Sequence, residues 1–390
     1  MSKYKKSAQR RRIISVCIAL LLVVSIVWGI IAGITHIVNS VRTKVQTRRE
    51  YNATMEAKLD KMSLEEKVAQ MFLAYQPADS LSVQKKYQFG GYVFFAPYFK
   101  DNTPEQVVAD MAAYQETSKI PMLLAVDEEG GKVNRISKFP QYRDEPFASA
   151  QEVFYGGGWD GIVADTKEKA AFLKILGLNT NLAPVADVTY KEKNYMYHRS
   201  FGTNAEEVAD YVEHVTNEYN EAKVLCCLKH YPGYGDAGNS HLTVIEDPRD
   251  RETLDTRDSM PFQAGIAAGA PMVMLHHNIV NAYDAKNPAS LSKAVHDVLR
   301  KNLGFEGVIV TDGLEMTGVT KFVDDPGKAA ILAVKAGNDL LCTGTPVEQY
   351  EAVLAAVKDG TISEERINES VLRILNMKKD FGFFDTDEKK

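Results

Sequence analysis

The sequence has little of what marks several common classes of protein. Its 390 residues include four cysteines, and they contain no internal repeat and no low-complexity tract. These absences argue against a disulfide framework, a repeat architecture and a disordered chain. Cys226, Cys227 and Cys342 lie in apolar, strand-like runs without zinc-ligand spacing, so we expect buried free thiols and no metal site.

Positive charge is also scarce. The 46 Lys and Arg residues are outnumbered by 52 Asp and Glu residues, which gives a net charge of −6. Six of the positive charges lie within residues 1–12, so the remainder of the chain is more acidic still. This distribution argues against a nucleic-acid partner. Hydrophobic residues at 45% and charged residues at 25% are otherwise ordinary for a globular chain.

A long apolar run lies near the amino terminus. Residues 13–38 carry no formal charge and are followed by no clear Ala-x-Ala cleavage site. The run exceeds the ~7 to 15 apolar residues of a signal peptide and is long enough to span a ~30 Å hydrocarbon core. We therefore predict a cytoplasmic basic tail at residues 1–12, an uncleaved transmembrane anchor at 13–38 and a juxtamembrane stalk at 39–57. Six basic residues before the run and four after it favour a single-pass cell-membrane protein whose globular domain is extracytoplasmic.

From Ser63 onwards, helical segments alternate with apolar strand-like runs, and this alternation predicts a parallel sheet covered by helices. Most runs end in charged or polar side chains. In a closed barrel such ends meet at one rim, whereas an open doubly wound sheet gathers fewer of them. We therefore predict an α/β fold, a TIM-like (β/α)8 barrel over residues 58–385, although the eighth run is not identified. The seven runs are Gly91–Ala96, Met122–Asp127, Leu178–Asp187, Val224–His230, Pro271–Asn278, Val308–Asp312 and Asp339–Thr343.

The densest group of polar residues follows the run that reaches Leu228. Residues 229–241 read Lys-His-Tyr-Pro-Gly-Tyr-Gly-Asp-Ala-Gly-Asn-Ser-His. This segment resembles the Lys-His-Phe-Pro-Gly-His-Gly-x4-Asp-Ser-His signature of bacterial β-N-acetylglucosaminidases in glycoside hydrolase family 3. Tyr234 stands where that signature has His, and Asn239 stands where it has Asp. The resemblance implies that His241 is the general acid/base.

The same resemblance implies that Lys229 and His230 bind substrate hydroxyls. Because burying an unpaired Lys is costly, we expect Asp127 or Asp187 beside Lys229. Asp187 itself binds substrate or ties the rim loops together, and the sequence leaves both roles open.

Asp312 ends the apolar run 308–312, where a carboxylate serves either as a nucleophile or as a helix N-cap. Its resemblance to the family's Thr/Ser-Asp motif implies the nucleophile. Residues 126–135 resemble the family's Asp-Gln-Glu-Gly-Gly-Arg-Val-x-Arg segment, which implies that Asp127 and Arg135 bind the sugar. Residues Arg199–Gly202 resemble the Arg-Ser/Ala-Phe-Gly turn, which implies a further sugar ligand in Arg199.

Together these segments imply a retaining exo-glycosidase that hydrolyses terminal non-reducing β-linked N-acetylglucosamine, without a cofactor and with peptidoglycan fragments as the source. In the related enzymes a carboxylate two residues before the acid/base favours its protonated form. Asn239 accepts a hydrogen bond but brings no charge, so we expect His241 to stay catalytic with an altered pH profile. Asp236, Glu246 or Asp247 can supply the missing charge.

Two alternatives stay open. Tyr234 and Asn239 also fit a membrane-tethered barrel that binds glycans without turnover. A family 3 β-glucosidase or β-xylosidase commonly takes its acid/base from a second domain, whereas only one or two helices fit after Thr343. A metal hydrolase is disfavoured because His276 and His277 are sequence neighbours and would point to opposite faces of a strand. The sequence makes no prediction of oligomeric state.

Overall fold

The computed structural model describes Trp28, residues 53–240 and residues 242–385. The chain divides into two compact units, Met1–Asp60 and Lys61–Lys390. Apart from Trp28 and residues 53–57, the predicted tail, anchor and stalk lie outside the described residues, and so does His241. Within the described residues, no helix is both long and apolar enough to cross a membrane. Residues 53–59 of the first unit are helical.

Eight parallel strands of the second unit's described residues form one sheet. In chain order they are β1 (Phe72–Tyr75), β2 (Gly91–Phe94), β3 (Leu123–Val126), β4 (Thr180–Asn181), β5 (Leu225–Tyr231), β7 (Met272–Leu275), β9 (Val308–Thr311) and β10 (Leu341–Thr343). The spatial order is β10-β1-β2-β3-β4-β5-β7-β9. A parallel bridge between Val310 and Leu340 joins the two ends, so the predicted TIM-like barrel is confirmed. Two shorter strands, β6 (Glu246–Asp247) and β8 (Ile279–Val280), pair beside it.

Helices follow most of the strands. Their bounds are α1 Leu64–Gln70, α2 Ser80–Tyr87, α3 Ala96–Asp101, α4 Pro104–Thr117, α5 Ala150–Ile175, α6 Ala205–Ala222, α7 Arg251–Thr253, α8 Ser259–Ala267, α9 Lys293–Asp297, α10 Thr317–Thr320, α11 Pro326–Ala336, α12 Pro346–Lys358 and α13 Glu364–Asp380. Helices α6 and α13 are clearly amphipathic. In α6, Val208, Val212, Val215 and Tyr219 are buried at intervals of three or four residues, which gives the apolar face that packs against α5 and α8.

The strand that the sequence analysis did not identify is β1. Leu64, Val68, Met71 and Phe72 lie at the apolar spacing of a helix, but the helix ends at Gln70 and Phe72 begins the strand. A capping box between Ser63 and Glu66 begins this helix. A short apolar run that directly follows a helix fits either periodicity, because strands buried on both faces do not alternate.

Candidate active site

A cavity of about 350 Å³ lies at the carboxyl ends of the barrel strands. Each of the eight strands of the sheet, or a residue directly after it, contributes to its lining. Six of the eight predicted site residues line it: Asp127, Arg135, Arg199, Lys229, His230 and Asp312. Asn239 is described but does not line it, and His241 lies outside the described residues. Parallel strand ends thus bring together residues that are far apart in the sequence.

The floor of the cavity is an ion network centred on Lys229. This side chain is 2% exposed, and its Nζ lies 2.7 Å from Asp127 Oδ1 and 2.6 Å from Glu129 Oε1. Arg199 donates to the same Glu129 carboxylate from Nε at 3.0 Å and from Nη2 at 2.7 Å. Glu129 is therefore shared by two cations. No motif in the sequence alone assigns Glu129 this role.

The charges of this network support each other. Burial alone would raise the pKa of Glu129, but the positive charges of Arg199 and Lys229 outweigh burial and hold that pKa below its ordinary value. Burial alone would lower the pKa of Lys229, and the charges of Asp127 and Glu129 raise it instead. Both groups therefore stay ionised at neutral pH and present fixed charges to the cavity.

Asp127 joins the network to Arg135. Its Oδ2 lies 3.6 Å from Arg135 Nη2, while its Oδ1 accepts from Lys229. The prediction that Asp127 lies beside Lys229 is confirmed. The alternative prediction, that Asp187 does so, is wrong, because the Asp187 carboxylate binds His230 instead. The guanidinium of Arg135 also lies over the ring of Phe95, 5.8 Å from its centroid. Asp127 is thus held between two cations at the edge of the cavity.

Asp187 is fully buried and orders the start of the loop after β5. Asp187 Oδ2 accepts hydrogen bonds from the backbone N–H of His230 at 3.2 Å and from the His230 ring Nδ1 at 2.8 Å. Asp187 Oδ1 accepts from the Tyr234 N–H at 2.7 Å. Burial alone would raise the pKa of Asp187, but the neighbouring His230 outweighs it and lowers that pKa. Of the two roles left open, these contacts fit the tying of rim loops.

Asp312 follows β9 directly and reaches the cavity. Its N–H donates to the Leu275 carbonyl of β7 at 2.9 Å, and its Oδ1 accepts from the Gly313 N–H at 2.8 Å. A Cβ at position 313 would lie 2.1 Å from the Tyr75 hydroxyl, so Gly313 lets Tyr75 approach the turn closely. The helix-cap alternative is wrong, because α10 begins at Thr317 and its cap is Met316.

Residues 234–240 lie against the residues that follow Asp312. The Ser240 carbonyl accepts from the Gly318 N–H of α10 at 2.9 Å, and the Tyr234 hydroxyl is hydrogen bonded to Ser240 Oγ at 2.5 Å. Tyr234 is buried, with its ring 4.6 Å from that of His276. Tyr234, which stands where the signature has His, therefore contacts the side chain of Ser240, one residue before position 241.

Three carboxylates were expected as possible replacements for the negative charge that Asn239 lacks, and two of them bind other partners. Asp236 accepts from the N–H groups of Tyr190 and Lys191, each at 2.9 Å. Asp247 is buried and forms an ion pair with Arg249. Glu246 is exposed in β6.

The two neighbouring histidines, His276 and His277, are both buried. His277 Nδ1 is hydrogen bonded to Ser290 Oγ, and its Nε2 to the Gly313 carbonyl beside Asp312. Burial lowers the pKa of His276 to about 3, so that ring is neutral. Across residues 53–240 and 242–385, no cluster of His, Cys, Asp and Glu has the arrangement of a metal site. What the geometry provides is a carboxylate beside a floor of hydrogen-bond donors and acceptors, which suits a polyhydroxylated ligand.

Comparison with known proteins extends this description. The pattern of the Glycosyl hydrolase family 3 N terminal domain matches residues 63–377. The chain is 32% identical over 313 residues to an uncharacterized secreted glycosyl hydrolase of Arthroderma benhamiae, which covers 76% of this chain and 87% of that protein. It is 31% identical over 276 residues to a beta-hexosaminidase of Methylococcus capsulatus, which covers 70% of this chain and 81% of the relative.

Solved structures agree with the sequence matches. A glycoside hydrolase family 3 beta-N-acetylglucosaminidase from a Paenibacillus species superposes with a TM-score of 0.77 at 32% identity, over 83% of this chain and 63% of that one. This chain thus spans less than two thirds of that enzyme. A beta-N-acetylhexosaminidase from Beutenbergia cavernae superposes with a TM-score of 0.71 at 27% identity, over 81% of this chain and 98% of that one. The chain is a member of glycoside hydrolase family 3.

Proposed function

We propose that this protein is a retaining exo-β-N-acetylhexosaminidase that releases terminal non-reducing N-acetylglucosamine. The observation that carries the proposal is the position of Asp312, whose carboxylate shares one cavity with Asp127, Arg135, Arg199 and Lys229. The names of the relatives from Methylococcus and Paenibacillus support this substrate class. Peptidoglycan fragments are the proposed source of the sugar.

The proposed reaction has two steps. The Asp312 carboxylate attacks the anomeric carbon, and the bond to the leaving oxygen breaks while His241 gives that oxygen a proton. Water then attacks the anomeric carbon and transfers a proton to His241 as the bond to Asp312 breaks. The charged network of Lys229 and Asp127 holds the sugar hydroxyls during both steps.

Turnover of aryl β-glycosides tests the proposal against its alternatives. We expect hydrolysis of an aryl β-N-acetylglucosaminide to exceed that of the matching β-glucoside, and Asp312→Ala to reduce turnover by about a thousandfold or more. Asp324→Ala, which changes an exposed carboxylate in the segment after α10, should leave turnover unchanged. Faster turnover of the glucoside would identify a different specificity, and equal turnover by Asp312→Ala would contradict its role as nucleophile.

The pH profile tests the proposed part played by Asn239. A carboxylate near an imidazole favours the charged ring and raises its pKa. In Asn239→Asp the proposed acid stays protonated to higher pH. The alkaline limb of the pH–activity profile should therefore shift to higher pH. Profiles that coincide would show that position 239 does not act on the acid/base.

We also propose that residues 13–38 anchor the protein in the cell membrane with the barrel on the extracytoplasmic side. Residues 13–38 carry no formal charge, and this pattern motivates the proposal. We expect the full chain to require detergent for extraction and a variant lacking residues 1–38 to remain in the soluble fraction. Identical partitioning of the two would rule out the anchor.

A further inference from the structure

A second cavity, of about 330 Å³, lies beside the active-site loop that carries Arg199. We name it the Tyr155 pocket, and the lining used below consists of Gln151, Phe154, Tyr155, Tyr197, Phe201 and Glu207. It lies between the first turns of α5 and the segment after β4, on the side of the barrel where the strands end. No part of the proposed two-step reaction uses it.

The aromatic wall of the Tyr155 pocket consists of packed rings on its inner side and one exposed ring on its outer side. The ring of Phe201 stacks on Tyr211 at 4.7 Å and meets the edge of Phe154 at 5.1 Å. Trp159 packs behind both, 4.6 Å from Phe154 and 5.6 Å from Phe201. Tyr155 by contrast is 85% exposed. A large aromatic side chain so exposed on a fixed wall is typical of a binding surface.

Glycines keep this surface unobstructed. Gly156, Gly157 and Gly158 follow Tyr155 within α5, and Gly202 follows Phe201. A Cβ added at any of these positions would meet no atom within 4 Å. Gly158 has a φ of 58° at a kink in α5, and this backbone conformation accounts for glycine there. Glycine in a helix otherwise costs about 1 kcal/mol relative to alanine, and packing within the protein does not account for Gly156 and Gly157. Bare backbone beside exposed rings lets a flat ligand approach closely.

The chemistry of the lining selects the class of ligand. The side chains described around the Tyr155 pocket carry one negative charge, on Glu207, and no positive charge. Anionic groups such as phosphates and acidic peptides are therefore disfavoured. Aromatic faces attract the polarised C–H groups of a sugar ring, and Oε1 of Gln151 with the carboxylate of Glu207 can accept hydrogen bonds from its hydroxyls. A neutral N-acetylhexosamine unit fits the charge, the aromatic lining and the volume of the pocket.

We propose that the Tyr155 pocket is an accessory site that binds a neutral N-acetylhexosamine unit of an oligosaccharide substrate. This inference rests on the proposed function for its choice of sugar. Gln151 links the pocket to the catalytic floor, because its amide donates to the carbonyls of Tyr197 at 2.9 Å and Ser200 at 2.8 Å. Those residues flank Arg199, so a sugar on Tyr155 lies against the loop that holds the sugar-binding guanidinium.

Binding of a β-1,4-linked N-acetylglucosamine pentamer to the Asp312→Asn variant, measured by calorimetry, tests this site without hydrolysis. We expect Tyr155→Ala in that background to weaken binding about three- to tenfold, the size of one lost aromatic contact. The matched control is Ile175→Ala, which removes a 74% exposed apolar side chain at the other end of α5 and should leave binding unchanged. With Asp312 intact, Tyr155→Ala should leave kcat/KM for an aryl monosaccharide unchanged, because that substrate does not reach the pocket.

Several outcomes would overturn the inference. Unchanged pentamer binding by Tyr155→Ala, an equal loss in Ile175→Ala, or an equal loss of activity on the aryl monosaccharide would each do so. A loss of affinity for a short peptide rather than for the pentamer would assign the pocket to another ligand. If the wild-type protein hydrolyses no aryl N-acetylglucosaminide, the proposed function fails, while pentamer binding still decides the fate of the Tyr155 pocket.

Discussion

Glu129 is the side chain on which the floor of the active-site cavity depends. It lies in a loop of acids and glycines that reads as solvated in the sequence, yet it is 5% exposed and contacts both Lys229 and Arg199. The signal that could have found it is its spacing. Asp127 and Glu129 are two residues apart at the end of a strand, so an extended backbone sends both side chains the same way.

Replacing Glu129 tests this account of the floor. Glu129→Gln keeps the shape but leaves Lys229 and Arg199 with one carboxylate fewer, and breaking a buried ion pair costs about 3 kcal/mol of unfolding free energy. Denaturant unfolding should show that loss, together with reduced turnover. Glu145→Gln, an exposed change in the loop before α5, should show neither. Wild-type stability in Glu129→Gln would mean that the network contributes nothing net.

Tyr234 is the departure from the family signature with the clearest structural consequence. Removing its hydroxyl in Tyr234→Phe deletes the hydrogen bond to Ser240, which precedes the proposed acid/base. We expect kcat to fall about three- to tenfold with KM unchanged, since one hydrogen bond is worth about 1 kcal/mol. Tyr231→Phe is the control, because that buried hydroxyl has no hydrogen-bond partner among the described residues. If both changes reduced kcat equally, the result would contradict the positioning role of Tyr234.

Among the secondary-structure elements, strands β4 and β1 show where sequence reasoning fails. The run Leu178–Asp187 predicted one strand, but β4 covers Thr180–Asn181, and Pro184 then interrupts the ladder because proline has no N–H to donate. β1 was hidden by the helix that precedes it. Except that β5 ends one residue beyond its run, at Tyr231, the other runs contain the observed strands, because their β-branched and apolar residues between turn signals leave little ambiguity.

Helix α13 is fixed to the barrel by a buried lysine. Lys378 Nζ donates to Gln70 Oε1 at 2.9 Å and to the Gly90 carbonyl at 3.1 Å. Burial lowers its pKa to about 7 from the ordinary 10.5. Between these two values the unfolded chain binds a proton that the folded chain does not, so this residue makes stability rise with pH in that window.

Lys378→Met should therefore flatten the dependence of unfolding free energy on pH between about 7 and 10. Denaturant unfolding at several pH values measures it. Lys335→Met, an exposed change on α11, should keep the wild-type slope. A slope unchanged by Lys378→Met would mean that the amine is protonated in the folded protein.

For the molecule as a whole, the sequence predicted the barrel and six residues that line one cavity at its rim, but it left open which carboxylate pairs with Lys229. Lys229 and Asp127 are 102 residues apart, and no local pattern determines which carboxylate a buried amine selects. The barrel topology places both Asp127 and Asp187 at the same rim. The packing of the segment that ends β5 determines that Asp187 binds His230. The wall formed by Tyr155, Phe154 and Phe201 was missed for the same reason, since its residues come from segments on either side of β4.

The central claim is that Asp312 forms the covalent bond to the sugar. Incubation with a fluorinated sugar inactivator of N-acetylglucosaminidases, followed by mass spectrometry of the digested protein, tests it directly. The account predicts one added sugar, on a peptide that contains Asp312, and none when a competing N-acetylglucosamine ligand protects the cavity. A sugar attached to another carboxylate, or turnover by inversion with no labelled peptide, would contradict it.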